Sequence, residues 1–452
     1  MNCEATRPLS RLGKVGVVLF FVLLLGFGVH VEQKSAFLSR RMGDLDVFLR
    51  AAWAVRNDAD LYAITSDNDW HYLYPPLYAI LMTPLADPPE GADAAGYLPY
   101  PISVAICFFI SVFALLAGVH VLASALEEKA GWDHQPRYCR RWWLLRLWPI
   151  LVCFLPIGHT LMRGQVNLII LAALCAAITG WLRQQPYRAG LWLALAICIK
   201  VIPAFLLVYP LWKRDGRALL GCAAGCFVGL VLVPVLTFGP NRAIAHYDTY
   251  AHAFVGPYFN MTDDDRSHEE IATTDSIGIK SALHNWMYRG PEKYTTNMHI
   301  AAKATYVLLG VAMTLVTLWP GPTFRSLPDD DASGMNTTHQ LGGLILLMAI
   351  LSPLCHLHYL LFCLPGVMGL LVHAWRTQSE LNVPRLLVAS FVLFNVAICV
   401  SHLPGLEVLK DLCIALFATV PLWVIPVVYL WRRRNASPAQ PESVSAAWRQ
   451  VA

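Results

Sequence analysis

Apolar residues run along this chain in blocks long enough to enter a bilayer, separated by short polar segments in which Lys and Arg gather. The first block, "VGVVLFFVLLLGFGVHV" at Val15–Val31, has a length that suits either a signal-peptide core or a retained span. Because many apolar runs follow it, it reads as a signal anchor. Further passes are predicted over Pro99–Leu126, Leu147–Leu161, Gln165–Leu182, Ala218–Phe238, Ala301–Trp319, Leu341–Ser352, His356–Trp375, Leu386–His402 and Lys410–Trp431. The expected fold class is all-α, a polytopic membrane protein.

Charge decides how the remaining apolar runs are arranged. Basic residues cluster at Arg7/Arg11/Lys14, Lys129–Arg146, Arg183/Arg188, Lys213/Arg214/Arg217, Arg376/Arg385 and Arg432–Arg434, and the positive-inside rule places all of these in the cytoplasm. Two apolar runs separate the first two clusters, so only one of them can span. The shorter, "YPPLYAILMTPLA" at Tyr74–Ala86, is therefore predicted to be a re-entrant or interfacial helix. Its prolines suit a first turn, whose N–H groups have no intrahelical acceptors. The same rule makes Ala189–Trp212 a hairpin, out along "AGLWLALAICIK" and back along "VIPAFLLVYPLW", breaking at Lys200–Pro203. Each arm is about 18 Å long at 1.5 Å per residue, shorter than the hydrocarbon core of about 30 Å. A break at such depth needs a protein-walled, hydrated cavity.

The resulting expectation is about twelve passes with both ends of the chain inside, in one membrane domain over 1–434. Large external loops are expected at 32–98 and 239–300, and a disordered cytoplasmic tail at 435–452. At 56% hydrophobic and 14% charged residues, the chain is too apolar for an ordinary soluble domain. The net charge of +4 arises from bases flanking spans, which excludes a nucleic-acid case. The twelve cysteines lack Cys-x-x-Cys spacing and read as buried thiols.

The basic clusters alone set this topology, and the unusual polar residues fall on one side of it. Asp44 and Asp46 fall in the first external loop, Arg163, Gln165 and Asn167 at an external turn, Lys200 at the hairpin break, and His356 and His358 at another external turn. Ionisable groups in membrane segments are costly and by default mark function. Each also has a structural reading: Arg163 and Lys200 as interfacial anchors, Gln165 and Asn167 as helix glue. His356 and His358, two apart, would face different ways on a helix and make a poor joint metal site. Together the set suits a lipid-borne anionic substrate and a hydroxyl nucleophile at the outer face. A carboxylate takes the hydroxyl proton, and Lys200 and Arg163 hold a phosphate leaving group. A transporter or flippase of lipid-linked sugars would use the same cavity without chemistry, and a non-catalytic assembly subunit is a third reading.

Four stretches, "GDLDVFLRAAW", "YLYPPLYAILMTPLA", "RGQVNLIILAAL" followed by "AGLWLALAICIKVIPAFLLVYPLW", and "LSPLCHLHYLLF", resemble in content and order the integral-membrane C-type glycosyltransferases of family 87. The resemblance implies juxtamembrane helices in the first external loop and inverting transfer from a polyprenyl-phosphate-linked sugar, most readily mannose. The acceptor would be a lipid or glycan hydroxyl, and neither metal nor cofactor is implied. It makes Asp44 the base, with Asp46 as runner-up, although Phe48 stands where the family carries a tyrosine. Lys200 would contact the donor phosphate. Gln165, Asn167 and Arg163 would bind sugar or phosphate, joined by His358 with Tyr359, by Tyr74 and, from a later external loop, by Ser276 of the pair Asp275-Ser276. The site would face the periplasm or exterior of the cell membrane.

Overall fold

In the computed structural model, which describes residues 7–37, 41, 43–132, 134–252, 276–288, 298–320, 331–377 and 383–435, the apolar runs become helices. No strand occurs among the described residues; two isolated β-bridges are the only extended pairings. The first elements are α1 (Arg11–Ala36), α2 (Gly43–Arg56), α3 (Pro76–Met82), α4 (Tyr100–Lys129), α5 (Arg140–Val152), α6 (Phe154–Arg163), α7 (Asn167–Leu182) and α8 (Pro186–Ile199). Among the described residues, six helices are long and apolar enough to cross a membrane, and a seventh crossing results if α5 and α6, bent by 65°, form one span. The other five expected passes coincide with helices that are shorter, or, for Asp331–Ile350, polar through the first half. The protein is therefore an all-α polytopic membrane protein, with six helices, or seven crossings with the bent pair, that meet the length and apolarity of a span among the described residues.

The bend between α5 and α6 departs from the single pass expected at Leu147–Leu161. Pro156 has no N–H to give the carbonyl four residues back, and its ring clashes there, so the helix breaks at Cys153. The carbonyl it would have served, that of Val152, accepts instead from Asn395 Nδ2 at 3.0 Å. The predicted hairpin is present: α8 ends at Ile199, Lys200 is extended (φ −149°, ψ 127°), and the chain continues through a 3-10 turn Ile202–Leu207 into Val208–Trp212. The arm returns to its starting end, since Trp181 Nε1 donates to Asp215 at 3.2 Å.

Helices α4, α7, α8 and Gly216–Cys226 pack through small residues. A Cβ on Gly118 of α4 would lie 2.7 Å from Ala172 Cα, and one on Gly190 of α8 would fall 2.0 Å from the Ala218 carbonyl oxygen. Such backbone proximity is how helices associate where lipid gives no hydrophobic drive.

Contacts gather the basic clusters at one end of the bundle. Arg140 N–H donates to the Arg7 carbonyl at 3.0 Å, Arg183 pairs with Glu128 at 2.9 Å, Arg376 reaches the Lys129 carbonyl at 3.3 Å, and Arg434 reaches that of Trp319 at 2.9 Å. The expected loop at 32–98 holds α2 and α3 at the opposite end. The loop at 239–300 contains the helices Pro240–Tyr250 and Ile279–Met287. Asp275 and residues 436–452 of the expected tail lie outside the described residues.

Candidate active site

Helix α2 carries Asp44 and Asp46 in its first turn, where carboxylates complement the helix dipole. Two residues apart, they meet different surroundings. Asp46 is fully buried, accepts from the Asp67 N–H at 2.7 Å, and lies 3.6 Å from both Arg50 and Arg41. Arg50, itself buried, also reaches Asp67 at 2.8 Å and Asp87 at 3.2 Å, and Arg41 bonds Asp87. This network ties α2 to the loop before α3 and to the segment after it. Burial pushes the Asp46 carboxyl above the usual carboxylate range, against the pull of the Asp67 N–H and the two arginines.

Asp44 turns instead toward the end of α6, where Arg163 Nε donates to its carboxylate. The Arg163 guanidinium sits 5.1 Å from the Trp70 ring centroid. That ring lies over Gly43, where a Cβ would come within 2.6 Å of it, so the residue before the aspartate must lack a side chain. After Arg163 the chain reverses through Gly164 in the left-handed region (φ 64°), which glycine adopts without steric cost.

That reversal delivers Gln165 and Asn167. Gln165 accepts from the Tyr74 hydroxyl at 3.3 Å, and burial pushes the Tyr74 phenol up, keeping it a neutral donor. Asn167, fully buried at the start of α7, accepts from Lys200 Nζ at 3.2 Å. The ammonium lies 4.4 Å from the Tyr359 ring centroid and 5.0 Å from that of Tyr74, distances at which a cation is attracted to a ring face. Tyr74 thus bridges the two halves of the site, its hydroxyl on Gln165 beside the Arg163–Asp44 pair and its ring against Lys200.

His358 sits on the 3-10 helix Leu357–Cys363, its ring stacked on that of His159 from α6 with centroids 5.4 Å apart and planes at 11°. Their Nδ1 atoms are 3.3 Å apart, a hydrogen bond that needs a proton on one of the two. Ser276 lies just behind: its Oγ accepts from the Cys355 N–H at 3.0 Å, and the neighbouring Ile277 N–H donates to the Cys355 carbonyl at 2.6 Å. It thereby fixes the segment leading into His356 and His358. Phe48 is buried with its ring edge-on to Tyr72, Tyr74 and Tyr78, so it holds the aromatic wall behind the lysine.

Asp44, Arg163, Gln165, Asn167, Lys200, Tyr74, Tyr359 and His358 are thus linked by direct contacts or by the short turn from Arg163 to Asn167, at the end opposite the basic clusters. Asp46 belongs to the adjoining ion network. Sequence reasoning missed three participants: Trp70, His159 and Arg41. A tryptophan four residues ahead of Tyr74 and a histidine four residues before Arg163 were visible, but their partners lie across the fold. Among the described residues no group of three His, Cys, Asp or Glu side chains is placed to hold a metal ion.

The sequence as a whole is similar to known proteins. Two curated relatives are each named a polyprenol-phosphate-mannose-dependent alpha-(1-2)-phosphatidylinositol mannoside mannosyltransferase. The Mycobacterium tuberculosis protein is 23% identical over 388 residues, covering 84% of this chain and 72% of the relative. That of Mycolicibacterium smegmatis is 24% identical over 351 residues, covering 74% and 71%. The model of glycosyltransferase family 87 matches residues 72–353, a stretch that includes Tyr74, Arg163, Gln165, Asn167 and Lys200, with Asp44 ahead of it and His358 just beyond. With a family model spanning more than half of the chain and mannosyltransferases among its relatives, this membrane protein is a glycosyltransferase belonging to family 87.

Proposed function

We propose that the chain transfers mannose, with inversion, from a polyprenyl-phosphate-linked donor to a hydroxyl of a mannosylated lipid, in a site at the non-cytoplasmic face of a twelve-pass bundle. The observation that carries this reading is Lys200: a buried ammonium at a helix break, braced by Asn167 and flanked by two tyrosine rings, one of which, Tyr74, also donates to Gln165 beside the Arg163–Asp44 pair. An ammonium so placed can meet a lipid-borne phosphate. As the acceptor oxygen bonds to the sugar's anomeric carbon, the bond from that carbon to the phosphate oxygen breaks. Asp44 takes the acceptor's proton, and the departing polyprenyl phosphate keeps the electron pair, its added negative charge stabilised by Lys200 and Arg163. The donor phosphate would also compete with Asp44 for Arg163, releasing the carboxylate to act as base when donor is bound.

Asp44 is preferred over Asp46 because Asp46 is enclosed by Arg50, Arg41 and the Asp67 amide, which leaves it no path to a substrate hydroxyl. The mannosylated lipid acceptor follows the names of the two relatives; an α-(1→2) product formed with inversion requires a β-linked donor. The test is incubation of purified protein with β-linked polyprenyl-phosphate [14C]mannose and a mannosylated inositol lipid, followed by α-mannosidase digestion of any labelled product. A labelled, α-mannosidase-sensitive lipid supports the reading. Failure to consume the donor with this acceptor and with a total lipid extract refutes it.

A further inference from the structure

At the basic end of the bundle, a cavity of about 580 Å³ opens between the N-terminal segment, the start of α1 and the start of α5. Its walls include Leu9, Val17, Val18 and Trp143, and two cations, Lys14 and Arg137, also line it, with no acidic side chain among the described residues. Neither cation makes an ion pair among the described residues. The groove is built rather than incidental. Pro8 and Cys139 form an antiparallel bridge that closes it, and the Ser10 side chain caps α1 by accepting from the Gly13 N–H at 3.1 Å. Tyr138 is held in the left-handed region (φ 63°), uncommon and costly for a bulky residue. That conformation brings its ring to 4.9 Å from Trp142 and 6.3 Å from Trp143, an aromatic group of the kind that sits at lipid headgroup level. On α1, Val15 and Val18 are exposed, as expected of a lipid-facing helix.

We propose that this groove binds an anionic glycerophospholipid from the leaflet at the basic end, its phosphate between Lys14 and Arg137 and an acyl chain along Val17 and Val18. Charge complementarity selects the occupant. Two exposed cations without an ion-pair partner among the described residues, lining an apolar slot, match a single phosphodiester on a hydrocarbon tail, and a zwitterionic lipid would bring its own cation against them. The inference is independent of the glycosyl-transfer reading, because the groove lies at the other end of the bundle.

The test is native mass spectrometry of delipidated full-length protein titrated with phosphatidylglycerol or with phosphatidylcholine of the same chains. The expected result is a retained phosphatidylglycerol adduct with little phosphatidylcholine. Lys14→Gln combined with Arg137→Gln should weaken it roughly thirtyfold, since each basic residue near a lipid surface contributes on the order of a fivefold factor. Both positions are exposed, and lipid-free melting checks that the variant folds. Val17→Trp, which fills the slot and spares both cations, should also abolish retention and carries the test if the charge variant does not fold. Equal retention of the two lipids, unchanged binding in either variant, an equal loss from Arg183→Gln combined with Arg188→Gln, or displacement by millimolar inorganic phosphate would overturn the proposal.

Discussion

Replacing Lys200 by Met separates catalytic from structural roles because the two predict opposite outcomes. Lys200 is 6% exposed and has, among the described residues, one hydrogen-bond partner, Asn167 Oδ1 at 3.2 Å, with aromatic rings on two sides. Burying an ammonium costs several kcal/mol, and apolar replacement of a buried charge is often neutral or stabilising. Against this, the substitution leaves the Asn167 carboxamide without its partner, a loss of about 1–3 kcal/mol; its Nδ2 already lacks one in the fold. The terms nearly cancel, so the melting temperature should move by only a few degrees. Activity should not survive: removing one preorganised group that stabilises developing charge costs about 10²–10³ in kcat. The assay is steady-state transfer from labelled donor in mixed micelles, with folded protein quantified by size exclusion and melting. A variant within about threefold of wild-type kcat/KM would refute the phosphate-binding role. A large fall in melting temperature with normal activity per folded molecule would make Lys200 a structural residue.

Four further predictions follow from the same contacts. Asp46→Ala should lower the melting temperature while largely preserving activity per folded molecule, and Asp44→Asn should do the reverse; thermal melts with matched transfer assays distinguish them. Arg50→Ala removes one of the two arginines that face buried Asp46 and Asp87 and should destabilise by about 3–5 kcal/mol, seen as poor recovery of monodisperse protein. Gly190→Val drives a side chain into the Ala218 carbonyl and should destabilise by several kcal/mol through overpacking, measured as aggregation on extraction. Trp70→Cys, with Cys3 and Cys399 replaced by Ser, should react with an impermeant maleimide from the external side only; labelling from both sides would favour alternating access, as in a transporter.

Much of the site was legible because its residues are local to helix breaks. Gly164, Pro203 and the Pro75-Pro76 pair mark where the chain must turn, and Gln165, Asn167, Lys200 and Tyr74 sit beside those turns. The gathering of basic clusters at one end follows from membrane electrostatics, which sequence reports directly. What stayed hidden depends on contacts between distant segments. The stacking of His159 on His358 spans 199 positions, and the choice between Asp44 and Asp46 rests on Arg41 and Asp87 meeting around α2. The α5–α6 bend was missed for another reason. Pro156 announces a break at Cys153, but a bilayer tolerates it only when something serves the freed Val152 carbonyl, and Asn395, 243 positions away from it, was not identifiable as that donor.

The central claim is that Asp44 removes the acceptor's proton while Lys200 holds the donor. Single-turnover transfer in Asp44→Asn, with labelled polyprenyl-phosphate mannose bound before acceptor is added, tests it most directly. The account predicts that donor is retained as in the wild type and that its sugar moves at least a hundredfold more slowly. Transfer at the wild-type rate would contradict it.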